Sequence, residues 1–446
     1  MSYFTDFVRG FLDLGATVIL PVVIFLLGLF FRQKIGAAFR SGLTIGVAFV
    51  GIFLVIDLLV KNLGPAAQAM VKNLGVSLNV IDVGWPATSS IAWASSVAAF
   101  IIPLGIIVNV VLLVTKSIAW ASSVAAFIIP LGIIVNVVLL VTKVTKTMNV
   151  DIWNFWHYTF TAAMVYAVSG SIWQALLAAV IFQIICLKVA DWTAPMMSEF
   201  FDLPGVSIAT GSTISYAPGI YLVKLLQKVP GLNKLDADPE TIQKRFGAFG
   251  ESIFVGLILG LGIGVLAGYK PGDIINLGMS MAAVMVLMPR MVKILMEGLM
   301  PVSESARTWL NKRFGEREIY IGLDAAVALG HPAVISTALI LVPITVLLAV
   351  ILPGNQVLPF GDLATIPFVV AFIVGAARGN IIHSVIVGTI MIAISLYIAT
   401  DVAPIFTDMA KGTNVQMPKG SSEISSIDQG GNIVNYLIFK LFSLFN

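Results

Sequence analysis

Residues 321–365 read IGLDAAVALGHPAVISTALILVPITVLLAVILPGNQVLPFGDLAT. The middle, Thr337–Leu352, is almost wholly apolar, and helix breakers flank it on both sides. Asp324 and His331 precede it, and Asn355, Gln356 and Asp362 follow. Acids bracketed by Gly and Pro inside apolar sequence are expected of hairpins whose tips meet near the midplane of a membrane. Apolar runs of about 18–25 residues recur along the chain, each long enough to cross a ~30 Å hydrocarbon core.

The bulk numbers agree. Of 446 residues, 58% are hydrophobic and 11% charged, against roughly 25% charged in an ordinary soluble domain; mean hydropathy is +0.99. A soluble globule, a disordered chain and a nucleic-acid-binding protein are excluded. The expected fold is an all-α polytopic membrane protein with about 10–12 transmembrane helices plus re-entrant or broken hairpins. A net charge of +3 implies no more than contact with anionic lipid. The single cysteine, Cys186, lies in the apolar run AVIFQIICL and reads as a packed side chain.

Spans are expected at about Phe11–Phe31 and Leu43–Val60. Arg32, Lys34 and Arg40 between them place that loop in the cytoplasm. Two further basic stretches, 224–250 and 301–319, read as cytoplasmic loops. The Gly-rich GLILGLGIGVLAG (256–268) puts small residues on one helix face, which suits close helix packing. Ile274–Met288 is short for a span and reads as a re-entrant or broken element.

One feature is unusual. Ser90–Lys116, SIAWASSVAAFIIPLGIIVNVVLLVTK, is repeated without change as Ser117–Lys143. A second full crossing would invert every later loop against the charge bias, so one copy is expected to fill a native slot. The perfect identity reads as an assembly error or an engineered duplication.

Polar residues within membrane segments are costly unless partnered, and so they mark sites. Four clusters stand out: WPATSS (85–90), with Thr88 and Ser89; NVDIWNFWH (149–157), with Asp151, Asn154 and His157; ATGSTISYAP (209–218), with Ser212; and the Asp324/His331 and Asn355/Asp362 pair. Amides, carboxylates, an imidazole and indoles together suit a polyhydroxylated ligand. There is no phosphate-binding loop G-x-x-x-x-G-K-[ST], no H-E-x-x-H and no Cys/His cluster. Neither a resident cofactor nor a metal is expected, and uphill transport needs an ion gradient or a separate protein.

The blocks DVGWP (82–86), NVDIWNFWH (149–157), QKRFGAFGES (243–252), VLMPRMVKILMEGL (286–299), IGLDAAVALGH (321–331), PGNQVLPFGDLAT (353–365) and SSIDQGG (425–431) resemble the galactitol-type membrane subunit, enzyme IIC, of the bacterial sugar phosphotransferase system. The resemblance covers nearly the whole chain, with one copy of the duplicated span in the family pattern. It implies a permease in the bacterial cytoplasmic membrane that binds a hexitol, moves it inward and presents it for phosphorylation. The phosphoryl donor is a cysteine of a separate IIB subunit charged by IIA, so whether this chain itself counts as an enzyme stays open. A homodimer, a scaffold with a substrate-carrying core, and an inverted-repeat elevator architecture are also implied. The carried-over ligand set is Thr88, Ser89, Asp151, Asn154, His157, Ser212, Asp324, His331, Asn355 and Asp362, with Asp362 or His157 taking the proton of the attacking hydroxyl. The alternatives are a polyol or sugar-acid facilitator, a proton-coupled transporter, and a non-transporting engineered duplication.

Overall fold

The computed structural model describes residues 16–73, 75, 78–94, 135–136, 138–140, 142–232, 235, 237–246, 251–314, 318–411, 417–418 and 421–444. Most of the two repeated copies, residues 95–134, and the N-terminal part of the first expected span lie outside the described residues.

Helix α1 spans Ala16–Phe30 and α2 spans Ile35–Asn73. Strand β1 (Val80–Asp82) leads into α3 (Gly84–Ala94). Strand β2 (Thr147–Asn149) is followed by a 3-10 turn, Ile152–Phe155, and by α4 (Trp156–Ser169) and α5 (Ile172–Glu199). Strand β3 (Val206–Ile208) precedes two short helices, Gly211–Ile214 and Gly219–Leu226. Helices α6 (Ser252–Leu266) and α7 (Pro271–Phe314) pack as a pair. Strand β4 (Tyr320–Leu323), the 3-10 turn Ala325–Gly330 and α8 (Pro332–Ile351) follow. Strand β5 (Val357–Leu358), the 3-10 turn Gly361–Thr365 and α9 (Ile381–Asp401) come next. Strand β6 (Glu423–Ser425) and α10 (Ile433–Ser443) end the described chain.

The molecule is a mostly helical, polytopic membrane protein. Among the described residues, five helices are long and apolar enough to cross a membrane: α2 through Ala66, α5, α7 through Val302, α8 and α9. Three expectations are corrected. Ile274–Met288 is no broken element but part of the 44-residue α7, which runs through Pro289 and Pro301; neighbouring helices can re-satisfy the backbone groups that proline frees. The stretch 301–319 is helical as far as Phe314. The fold is also not purely α-helical, since among the described residues six short strands pair into two parallel sheets.

The Gly-rich face of α6 behaves as its spacing suggests. A Cβ on Gly260 would meet Gly278 Cα and Leu277 O at 2.8 Å, and one on Gly256 would meet Met281 O at 2.8 Å. These neighbours are backbone and cannot swing aside. Gly260→Val is therefore expected to cost about 1–3 kcal/mol by overpacking. A lowered thermal midpoint of the purified protein would show it, and an unchanged one would refute close packing.

The sheets repeat one plan. The first has order β5–β1–β6, with Val80 opposite Val357 and Glu423; the second has order β2–β4–β3, with Tyr320 opposite Thr147 and Ile321 opposite Val206. Matching β1 to β4, β2 to β5 and β3 to β6 turns one order into the other. Each strand is two to four residues long and is soon followed by a helix, a 3-10 turn or, after β6, a tight turn. Parallel strands need a crossover connection, and here membrane helices supply it. Because the strands of a sheet run the same way, their C-terminal ends emerge on one edge and their following turns converge.

Candidate functional site

The converging turns of the first sheet are tied by two carboxylates. Asp82, fully buried, accepts hydrogen bonds from the backbone N–H groups of Gly84 (3.2 Å), Ile427 (3.4 Å), Phe360 (3.0 Å) and Asp362 (2.8 Å). Asp362, also buried, accepts from Trp85 N–H (2.8 Å) and the Thr365 hydroxyl (3.0 Å) on one oxygen, and from the Ser426 hydroxyl (2.6 Å) and Asp428 N–H (3.0 Å) on the other. The turns after β1, β5 and β6 thus share one knot. Gly84, at φ +75°, lies against the backbone of Gly361 there, where a Cβ would come within 2.8 Å; only glycine permits that approach.

The turns of the second sheet carry a different network. Asn136 donates to Thr147 O (2.8 Å) and accepts from Asn149 N–H (2.9 Å), and so closes the edge of β2. The Asn154 amide donates to Asp151 (2.6 Å) and to Asp324, joining the turns after β2 and β4. Asp324 also accepts from Ala326 N–H at 2.6 Å, as the N-cap of its 3-10 turn.

Between the two sets of turns lies a cavity. Every strand exit contributes to it: Trp85 after β1; Asn154, Trp156 and His157 after β2; Thr210 and Ser212 after β3; Asp324 and Ala326 after β4; Thr365 and Phe368 after β5; Asp428 after β6. Phe49, Ile52, Phe53 and Ile56 of α2 form the remaining wall. The arrangement offers polar groups for hydroxyls and aromatic faces for C–H surfaces.

His157 is held in one orientation. Its ring stacks on Trp156 with centroids 4.0 Å apart. Nδ1 lies 2.7 Å from the carbonyl oxygen of Asn154, and Nε2 lies 3.1 Å from Ser212 Oγ. A carbonyl only accepts, so the neutral ring carries its proton on Nδ1, and Ser212 donates to Nε2.

Of the expected ligand residues, Asn154, His157, Ser212 and Asp324 line this cavity. Asp151 faces a second, apolar cavity with Ile24, Ile45 and Leu295. Thr88 and Ser89 donate back to Gly84 O and Pro86 O in the first turns of α3. His331 caps α8, accepting from Ala333 N–H, and packs on Phe200 and Phe201. Asn355 bonds Ala349 O and Val357 O in the turn before β5. Asp362 is absent from the lining, its oxygens occupied by the knot. Asp82, Thr210, Thr365 and Asp428 were not singled out in the sequence, although Asp82 and Asp428 lie in the quoted blocks DVGWP and SSIDQGG.

A cavity of mixed polar and apolar lining, walled by six strand exits inside a bundle of membrane helices, is the arrangement of a multi-pass membrane transport protein. A family profile described as "PTS system sugar-specific permease component" (EIIC-GAT) matches residues 10–119 and 115–420, and the chain belongs to that family. It is 42% identical over 441 residues to the PTS system galactitol-specific EIIC component of Escherichia coli (strain K12), covering 99% of this chain and 91% of the relative. The same figures hold for the protein of that name from Escherichia coli O157:H7. Membership makes the chain an inner-membrane permease subunit of the phosphotransferase system, with a sugar substrate and a IIB partner. The two profile matches overlap at residues 115–119, which span the boundary between the repeated copies, Lys116/Ser117.

Proposed function

We propose that this chain binds a hexitol of the galactitol type in the six-turn cavity, carries it inward and presents one hydroxyl to phosphorylated IIB. The observation that carries this reading is the convergence of six strand exits on one cavity that sets a few polar side chains among aromatic and aliphatic faces. Asn154, His157, Ser212 and Asp324 contact the substrate in this proposal. Thr88, Ser89, Asp151, His331, Asn355 and Asp362 shape the turns that hold those contacts. Phosphoryl transfer depends mostly on positioning and charge stabilisation. His157 is placed to take the proton of the attacking hydroxyl through Ser212, because Nε2 holds the free lone pair of a ring fixed at Nδ1.

The same reading includes an elevator-like movement. The two sheets and the helices that cross between them form the carrier core, and α1, α2, α6 and α7 form the scaffold against which it slides. The cavity lies between the two groups, with the apolar wall from α2 opposite the polar turns. Homodimer and lipid contacts fall on the exposed apolar stripe Phe39, Leu43, Val47 and Leu54 of α2. The basic regions 224–250 and 301–319, which lie in part outside the described residues, are proposed as the cytoplasmic face that meets IIB.

Uptake into proteoliposomes, with and without phosphorylated IIB inside, tests the coupling. Phosphorylated hexitol is expected to accumulate only with IIB. Equal accumulation of unmodified hexitol in both would defeat the proposal. His157→Ala is expected to slow phosphorylation by about 10²–10⁴-fold, the usual contribution of a positioned base, while hexitol binding changes less. Equal losses in binding and phosphorylation would leave His157 as a binding group only.

A further inference from the structure

Asp428 is 4% exposed and lines the cavity. Its Oδ1 accepts from Gln429 Nε2 at 3.0 Å, whereas its Oδ2 is buried with no hydrogen-bond partner. A buried carboxylate oxygen left open is costly, and in a ligand cavity it marks a place where a donor is to arrive. Ser212 stands beside this carboxyl, but its single proton serves either His157 Nε2 or Asp428, not both. When it serves His157, Oδ2 stays open.

Most of the side-chain donors around the cavity are already committed. The Asn154 amide serves Asp151 and Asp324, the Trp156 indole N–H reaches Asn154 Oδ1 (3.3 Å), the Thr365 hydroxyl serves Asp362, and His157 Nδ1–H serves a carbonyl. Among the described lining residues there is no lysine or arginine, while Asp324 and Asp428 are both present. Such a wall rewards a ligand that brings O–H donors. It penalises one that brings acceptors and negative charge, because a buried anion needs a cation or donors.

We infer that Asp428 Oδ2 is the acceptor for a substrate hydroxyl, and that this acceptor-lined cavity admits neutral polyols and rejects anions, including its own phosphorylated product. This inference rests on the hexitol reading above and extends it. A phosphoryl group adds a charge of about −1.5 to −2 and brings only acceptors. Once transfer has occurred, the product cannot reoccupy the cavity it left. Import then becomes one-way at the binding site itself, without a separate gate against back-transport.

The test uses the full chain in lipid nanodiscs and three probes: galactitol, galactitol monophosphate and galactonate. Galactitol is expected to bind, with the two anions at least about a hundredfold weaker, the penalty of an unpaired buried charge. In Asp428→Asn, an amide that accepts from Gln429 presents its NH2 to the cavity, so an acceptor becomes a donor. Galactitol affinity is expected to fall by about tenfold or more, and the ratio of galactitol to anion affinity is expected to shrink. A merely structural role would lower all three affinities together. Monophosphate binding within about threefold of galactitol, well under the ~1.4 kcal/mol of a tenfold change, would overturn the inference; so would an unchanged ratio in Asp428→Asn. The wild-type comparison stands even where the variant does not fold. Failure of the wild type to bind galactitol would defeat the hexitol reading instead.

Discussion

Asp362→Ala is expected to remove most of the folded protein, not merely to weaken substrate binding. The carboxylate is 2% exposed and takes four hydrogen bonds, from Trp85 N–H, Thr365, Ser426 and Asp428 N–H. Alanine leaves those donors facing a dry void. Each buried group left unsatisfied costs about 1–3 kcal/mol, so several together approach the whole 5–15 kcal/mol that holds a typical domain. The backbone N–H of residue 362 still serves Asp82 in the variant, but the carboxylate's ties to Trp85, Ser426 and Asp428, which join the turns after β1, β5 and β6, are lost together. Asn is little better, since its NH2 would face the Asp428 N–H or the Trp85 N–H, donor against donor. Yield and monodispersity on size-exclusion chromatography, with a thermal midpoint, would measure the effect. Asp362→Ala that folds normally and loses only hexitol affinity would return Asp362 to the ligand set. Asp428→Asn serves as the internal contrast, because an acid with an open oxygen has fewer bonds to lose.

Those two acids also show how far the sequence could be read. Both sit in Gly-rich breaks between apolar runs, yet the sequence reading singles out Asp362 and passes over Asp428. Spacing does not say which oxygen meets a backbone N–H and which meets a cavity. That depends on where turns from three distant strands come together: Asp82 lies 280 residues before Asp362, and Asp428 lies 66 after it, and yet they share neighbours. The strands themselves escaped notice for a related reason. Val357–Leu358 or Val80–Asp82 is too short for a two-residue period to register, and the partners are non-local. Helix α7 misled in the opposite direction, since the apolar stretch Ile274–Met288 is short for a span by itself, whereas the helix continues through Pro289. Local signals fared better. The glycine spacing of α6 fixes a close-packed face, and the NVDIWNFWH block does bring Asn154 and His157 to the cavity.

Removing one repeated copy is expected to leave the six strand registers intact and to yield a chain that is more stable and transports better. Because the copies are identical, deleting Ser90–Lys116 or Ser117–Lys143 gives the same shortened sequence. The described residues on either side are firmly anchored. Ile91 and Ala92, in the first copy, pack with Trp156, Phe160 and Met164, while Asn136, in the second, closes the edge of β2. In the matching half of the fold, β4 and β5 are joined by one 20-residue helix, α8. At 1.5 Å per residue, a helix as long as the sequence from Ser90 to Asn109, the first copy's counterpart of Asn136, would rise by about 28 Å, close to the ~30 Å hydrocarbon core. One copy therefore suffices to connect the two anchors. A further net crossing would reverse β2 relative to β3 and β4, yet all three run parallel; it would also set the later basic segments against the charge bias. Thermal midpoints and hexitol uptake of the two chains, measured side by side, decide the matter. A shortened chain that misfolds or fails to bind hexitol would mean that the second copy supplies contacts the fold requires.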